Sequence, residues 1–238
     1  MWSSWIVVLH ALEDGVVYNS ARSMLKSLKP YLADYTGYTC SGFLKKNRNK
    51  TELSQGEKVV IRFSSLNPDI LATINMVLFR HKIMKTSLVL DNVNFKVCAV
   101  NECLQQFSID DLPTNFPNSY YLTLLSPTFF KVGDIYIADI SYAIKNIISM
   151  YKKFLGASIN LNAMEEIKSL PLQVISERDI KCYYNSEEVT TIKGEYVVDA
   201  SHISDCAKHA LYLLMEFARY NGVGYKTSEG FGVVDFIN

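Results

Sequence analysis

Apolar residues recur along this chain at two spacings, and the alternation between them lays out the elements. Trp5-Ile6-Val7-Val8-Leu9 is an unbroken β-rich run, suited to a strand covered on both faces. Between Tyr18 and Leu32, the residues Ala21, Met24, Leu25, Leu28 and Leu32 fall three and four apart, one stripe of a helix that Pro30 interrupts late. Gly37 to Leu44 reads as a second strand, a polar basic run from Lys45 to Lys50 follows, and Val59-Val60-Ile61-Arg62-Phe63 resumes as a third. Asn67 and Pro68 open a helix as N-cap and first position, with Ile70, Leu71, Ile74, Val77 and Leu78 as its buried face. Leu88–Leu90 and Phe95–Val100 give a bent or paired strand about Asp91-Asn92. The order is β-α-β-β-α-β, that of a ferredoxin-like unit.

The same order returns further on. Tyr120 to Leu125 predicts a strand, and Ile140 to Phe154 a helix with Ile144, Ile147, Ile148 and Tyr151 aligned. Strands follow at Leu172–Ile175 and Val189–Tyr196. A second helix over 203–220 carries Ile203, Cys206, Ala207, Ala210, Leu211, Leu214, Phe217 and Ala218 at helical spacing, and Val233 to Ile237 closes the chain as a strand. Residues 1–104 and 119–238 are the two expected domains, joined by a connector over 105–118 that holds Pro113 and Pro117. No sequence self-similarity links the halves; the repeat is one of element order. The expected class is α+β, tandem ferredoxin-like (RRM-like) domains with a C-terminal glycine-rich loop.

That loop is the densest motif. In the fifteen residues from Gly222 to Phe236, GVGYKTSEGFGVVDF, the glycines Gly222, Gly224, Gly230 and Gly232 bracket Lys226, Thr227 and Ser228. A nucleotide-binding fingerprint runs strand, glycines, helix, so that phosphate meets the positive helix end. Here the helix comes first and its carboxyl end has the wrong dipole sign for an anion. Two readings of the residues stand. Backbone N–H groups in glycine-permitted turns hold an anion, with Lys226 or Arg219 supplying charge; or Gly222 caps the helix and the rest turns into an edge strand.

Composition narrows the classes. At 238 residues and 49% hydrophobic, the chain has the material for one large or two small cores and is not disordered. Formal net charge is zero, so nucleic-acid binding has to rest on local patches. The five cysteines (Cys40, Cys98, Cys103, Cys182 and Cys206) are scattered and form no CxxC pair, which argues for a reducing compartment and against a zinc knuckle. The apolar start is too short for a membrane span and lacks a basic flank. The adjacent carboxylates Glu13-Asp14, Asp110-Asp111, Glu165-Glu166 and Glu187-Glu188 diverge on a strand or helix, and no HExxH or HD arrangement is present, so two-metal chemistry is disfavoured and no cofactor is expected.

The helix ending in an aromatic-hydrophobic run, followed by GVGYKTSEGFGVV, resembles the carboxyl-terminal signature of the RAMP superfamily. Within it the likeness is to the CRISPR-associated endoribonucleases that cut precursor transcripts inside each repeat. Leu124-Leu125-Ser126-Pro127-Thr128-Phe129-Phe130-Lys131 is similar to that family's Ser-Pro-Thr-x-Phe segment. The resemblance implies a metal-independent endoribonuclease in which the substrate's 2′-hydroxyl attacks the phosphate, leaving a 2′,3′-cyclic phosphate and a 5′-hydroxyl. It implies CRISPR repeat RNA as partner, other effector-complex subunits or a second copy of the chain as further partners, and the cytoplasm of a prokaryotic cell as location. The alternative is a RAMP subunit that binds repeat RNA without cutting.

Such chemistry needs a proton acceptor, a proton donor and charge on the phosphate. The family commonly places a histidine just after the first helix, and this sequence departs there, with Ala33, Asp34 or Tyr35 at the corresponding turn. His10, His81, His202 and His209 all lie elsewhere. Relatives lacking the histidine imply lysines in its place; Lys26, Lys29, Tyr31 and Lys45 are the candidates, with His10 as another. A lysine works chiefly as an electrostatic clamp unless burial depresses its pKa. Lys46 and Arg48 in the basic run are candidate phosphate contacts, and Gly222, Gly224, Lys226, Thr227, Ser228, Gly230 and Gly232 are candidate RNA contacts in the loop. Tyr225 and Phe231 offer stacking surfaces, although strand aromatics are more often core.

Overall fold

β1 (Trp2–Ala11) is central to the first sheet because its side chains alternate. Val7, Leu9 and Ala11 are buried in the core, while Ile6, Val8 and His10 on the opposite face are half-buried. The run expected to be covered on both faces is therefore one-sided over its second half. The computed structural model describes residues 2–32, 37–44, 50–108, 110, 112–156 and 159–237, excluding the side chains of 101–105. It divides into two compact units, Met1–Ser108 with Ser228–Gly230, and Ile109–Thr227 with Phe231–Asn238.

In the first unit, β2 (Gly15–Val17) precedes α1 (Ser20–Leu32), then β3 (Tyr38–Phe43), β4 (Thr51–Leu53), β5 (Lys58–Ser65), α2 (Pro68–Met84), β6 (Leu88–Leu90) and β7 (Val93–Phe107). The sheet order is β3-β5-β1-β7-β6, with all neighbours antiparallel, and β2 pairs β4 separately. The first ferredoxin strand thus lies between the third and fourth, and β6 adds an edge. α1 and α2 cover one face, where Met24, Leu28, Ile70, Ile74 and Leu78 pack with Leu9, Phe63 and Phe95; each fully buried side chain contributes about 1.5–3 kcal/mol. α1 continues through Pro30, which lies in its last turn and removes only the N–H that the Lys26 carbonyl would accept. Asn67 caps α2 as its sequence indicates, its side chain accepting from the Asp69 N–H at 2.9 Å. Asp91-Asn92, with φ of 47° and 74°, forms the two-residue turn that joins β6 to β7, so the bend is a hairpin. β7 runs on to Phe107 and pairs with Trp2–Ser4, taking the first residues expected of the connector.

The second unit contains β8 (Ser119–Leu124), the small hairpin of β9 (Phe130–Val132) and β10 (Ile135–Ile137), α3 (Ala143–Leu155), α4 (Leu161–Lys168), β11 (Leu172–Tyr184), β12 (Glu187–Asp199), α5 (Asp205–Asn221) and β13 (Val234–Ile237). A single 3₁₀ turn, Ile140–Tyr142, leads into α3. The sheet order β11-β12-β8-β13 repeats the ferredoxin arrangement. Two features depart from expectation. α4 is only eight residues long, with Ala163, Met164 and Ile167 its buried side chains, too short a stripe to read. β11 and β12 are far longer than their apolar cores, because most of β11 is exposed on both faces and is held by backbone pairing around the Asn185-Ser186 turn.

Candidate nucleic-acid interface

α5 ends where its backbone turns left-handed. Gly222 has φ 80° and its N–H donates to the Ala218 carbonyl at 2.7 Å. The chain then crosses back on itself, with the Val223 N–H donating to the Gly232 carbonyl (2.8 Å) and the Gly232 N–H to the Pro127 carbonyl (3.0 Å). The Gly224 N–H donates to Asn146 Oδ1 (2.8 Å), and the Tyr225 N–H to the Phe129 carbonyl (2.8 Å). Ser126 Oγ accepts from the Val233 N–H at 2.9 Å. Two motifs that stand apart in sequence, the Ser-Pro-Thr-x-Phe segment and the glycine loop, are thus laced into one structure. Asn146 on α3 is a tether that no sequence motif marked.

This geometry redistributes the expected roles. The amides of Gly222, Gly224 and Gly232 are spent inside the fold. A side chain at Gly232 would overlap the Val223 carbonyl, and one at Gly224 would come within 2.5 Å of the Phe129 carbonyl oxygen. Glycine is required at both for close backbone approach. Arg219, a candidate source of charge, is committed elsewhere. Its guanidinium lies 3.0 Å from Glu216 and 3.2 Å from Asp235, donates to the Phe236 carbonyl at 2.6 Å, and covers the Phe236 ring at 3.9 Å. Burial pushes the Glu216 carboxyl up from its ordinary range against the pull of Arg219, with Asp235 adding to the rise.

Lys226 differs from its neighbours. It holds φ 59°, a left-handed conformation that a lysine rarely adopts, and its ammonium lies 5.6 Å from the Tyr225 ring centre and 5.9 Å from that of Tyr184. Lys131 sits 5.9 Å from the Tyr225 ring. Below them Phe129 and Phe231 meet edge-on at 4.7 Å and are fully buried, so Phe231 is core and Tyr225, half-buried, is the aromatic left for stacking. Thr227 to Glu229 form a single 3₁₀ turn with Thr227 buried and Ser228 half-buried.

In the first unit, Lys26 and Lys29 are exposed on one face of α1, and Arg22 extends that face by one turn. Tyr31 is 46% exposed but stands about 140° around the helix from Lys26. His10 projects from the sheet face opposite the one α1 covers. The structure therefore brings Lys26 and Lys29 together and separates His10 from them. Lys45, Lys46 and Arg48 lie outside the described residues, as do Ala33, Asp34 and Tyr35. Among the described residues, no three or more His, Cys, Asp and Glu side chains gather as a metal site, and no helix is long and apolar enough to cross a membrane.

No family model matches this sequence, and no curated protein does so either. Solved structures do resemble it. The chain is similar to a Cas6 product complex with a TM-score of 0.77 at 16% identity, covering all of both chains. It is similar to Thermus thermophilus Cas6 with a TM-score of 0.73 at 15% identity, covering 100% of this chain and 98% of that one. A structure described as an RAMP protein binding different RNA substrates matches with a TM-score of 0.69 at 16% identity over 99% and 100% of the two chains. At these identities the likeness establishes the fold, two ferredoxin-like units of the kind built by Cas6 and RAMP proteins.

Proposed function

We propose that this chain binds CRISPR repeat RNA and cleaves precursor transcripts into guide RNAs without a metal ion. The observation that carries the reading is the full-length match of both units to Cas6 structures, one of them a product complex. The glycine loop supports it as a surface that presents Lys226 beside the Tyr225 ring. The substrate's 2′-hydroxyl attacks the adjacent phosphorus and the 5′-oxygen leaves, giving a 2′,3′-cyclic phosphate and a 5′-hydroxyl. Lys26 and Lys29 are the proposed clamp on the phosphate charge, Lys45 a further proposed catalytic residue, and Lys46, Arg48 and Lys226 to Gly230 the proposed RNA contacts, while Tyr31, about 140° around α1 from Lys26, stands apart from the clamp.

One observation favours a second reading, a subunit that holds repeat RNA without cutting. The one histidine borne by β1 faces away from α1, so the lysines of that helix have no imidazole from β1 to share proton transfer with. Incubating the chain with repeat RNA in excess EDTA and analysing the fragment ends separates the readings. Cyclic phosphate ends that disappear in the Lys26→Ala/Lys29→Ala variant support cleavage; RNA that is bound and intact supports the second reading.

A further inference from the structure

Strand register places three residues in a single row across the first unit's sheet. His10 on β1 pairs with Lys58 on β5 and with Lys96 on β7. Their strand neighbours Val59, Leu9, Ala11, Phe95 and Val97 are all buried in the core, so by alternation the three project together from the face opposite α1 and α2. Neighbouring strands lie about 5 Å apart, which puts the two lysines roughly 10 Å from each other with the imidazole between them. Both lysines are exposed and His10 is half-buried.

Lys58 and Lys96 bring two positive charges to one row of this face, one on either side of His10. Carboxylates in the adjoining turns accept hydrogen bonds from N–H groups. Glu13 accepts from the N–H and side-chain amide of Asn94, each at 2.8 Å; Asp14 accepts from the Gln55 N–H at 2.7 Å; Glu57 accepts from the Ser54 N–H at 3.1 Å. The next row along the same face is apolar, Val60 opposite Val8, with Ile6 beyond it, and all three are half-buried. Two lysine charges beside an apolar strip match single-stranded RNA, whose backbone needs cations and whose bases need a non-polar surface.

We infer that Lys58, His10 and Lys96 form a binding site for the phosphodiester backbone of single-stranded RNA, with the Ile6–Val8–Val60 strip under the bases. The inference rests on the reading of the chain as an RNA-binding protein, and it moves His10 from cleavage to binding. It requires no base sequence, so the probe is a fluorescent oligouridine, titrated into the full chain over a range of salt. Every phosphate of a single strand that the protein ceases to neutralise lowers the log–log salt slope by about 0.7. The double variant Lys58→Gln/Lys96→Gln should flatten it by about 1.4. Between 50 and 200 mM salt the wild type then loses about sevenfold more affinity than the variant. The His10 ring signals in NMR should shift on adding oligouridine and stay in place with an uncharged methylphosphonate copy. A slope that survives in the double variant overturns the inference, as do His10 signals unmoved at saturating RNA or a wild type that binds no oligouridine. Cleavage of repeat RNA in EDTA would still stand in any of these cases, so the two readings fail separately.

Discussion

Gly232 and Gly133 form a matched pair for testing how the glycine loop is built. Both hold the same left-handed backbone, φ 61° and φ 60°. A methyl group added at Gly133 meets nothing within 4 Å, whereas one added at Gly232 overlaps the Val223 carbonyl. Gly133→Ala should cost only the left-handed penalty of an L residue, about 1–2 kcal/mol. Gly232→Ala adds the displacement of two hydrogen bonds, Val223 N–H to Gly232 and Gly232 N–H to Pro127, at about 1 kcal/mol each. The expected losses are about 1–2 kcal/mol for the first variant and about 3–4 kcal/mol for the second. Urea unfolding followed by far-ultraviolet circular dichroism measures both. Equal losses, within about 0.5 kcal/mol, would refute the claim that the loop is held by close backbone crossing.

Two other outcomes follow from single side chains. The Glu216 carboxyl is held above its usual value of 4.5 by burial. The fold therefore favours its protonated form, and this contribution is complete below that value and lost as pH rises through the raised one. The urea midpoint of Glu216→Gln relative to that of the wild type at the same pH should therefore rise as pH goes from about 4 towards neutrality. Lys226→Gly relieves a left-handed lysine worth about 1–2 kcal/mol and gives up half-buried ring contacts worth about 0.5–2 kcal/mol. It should leave the melting temperature little changed while weakening repeat-RNA affinity in a filter-binding titration.

What the sequence discloses follows from what forces each element. α2 is plain because Asn67 and Pro68 start it and its buried face is continuous; the strands of both cores are plain because apolar residues cluster in them. The arm of β11 from Ser176 to Asp179 is invisible, since it is exposed on both faces and held by backbone pairing with β12 and a hydrogen bond from the Tyr196 hydroxyl to Glu177. The glycine loop is recognisable from spacing, but its partners are not. Nothing in Asn146, Pro127 or Phe129 signals that loop amides end there, so a motif that reads equally as an anion cradle commits the amides of Gly222, Gly224 and Gly232 to the fold. Arg219 misleads for the same reason, being conspicuous in sequence and consumed by Glu216, Asp235 and Phe236 in the fold. The row of Lys58, His10 and Lys96 emerges only from strand register, because its members are separated by whole elements.

The central claim is that the RNA supplies its own nucleophile. The most direct test compares repeat RNA with a copy carrying 2′-deoxyribose at the nucleotide before the scissile phosphate, both in excess EDTA. The expected result is equal binding, cleavage of the natural RNA to a 2′,3′-cyclic phosphate, and an intact deoxy copy. Cleavage of the deoxy copy, or tight binding of both with neither cut, would contradict the claim.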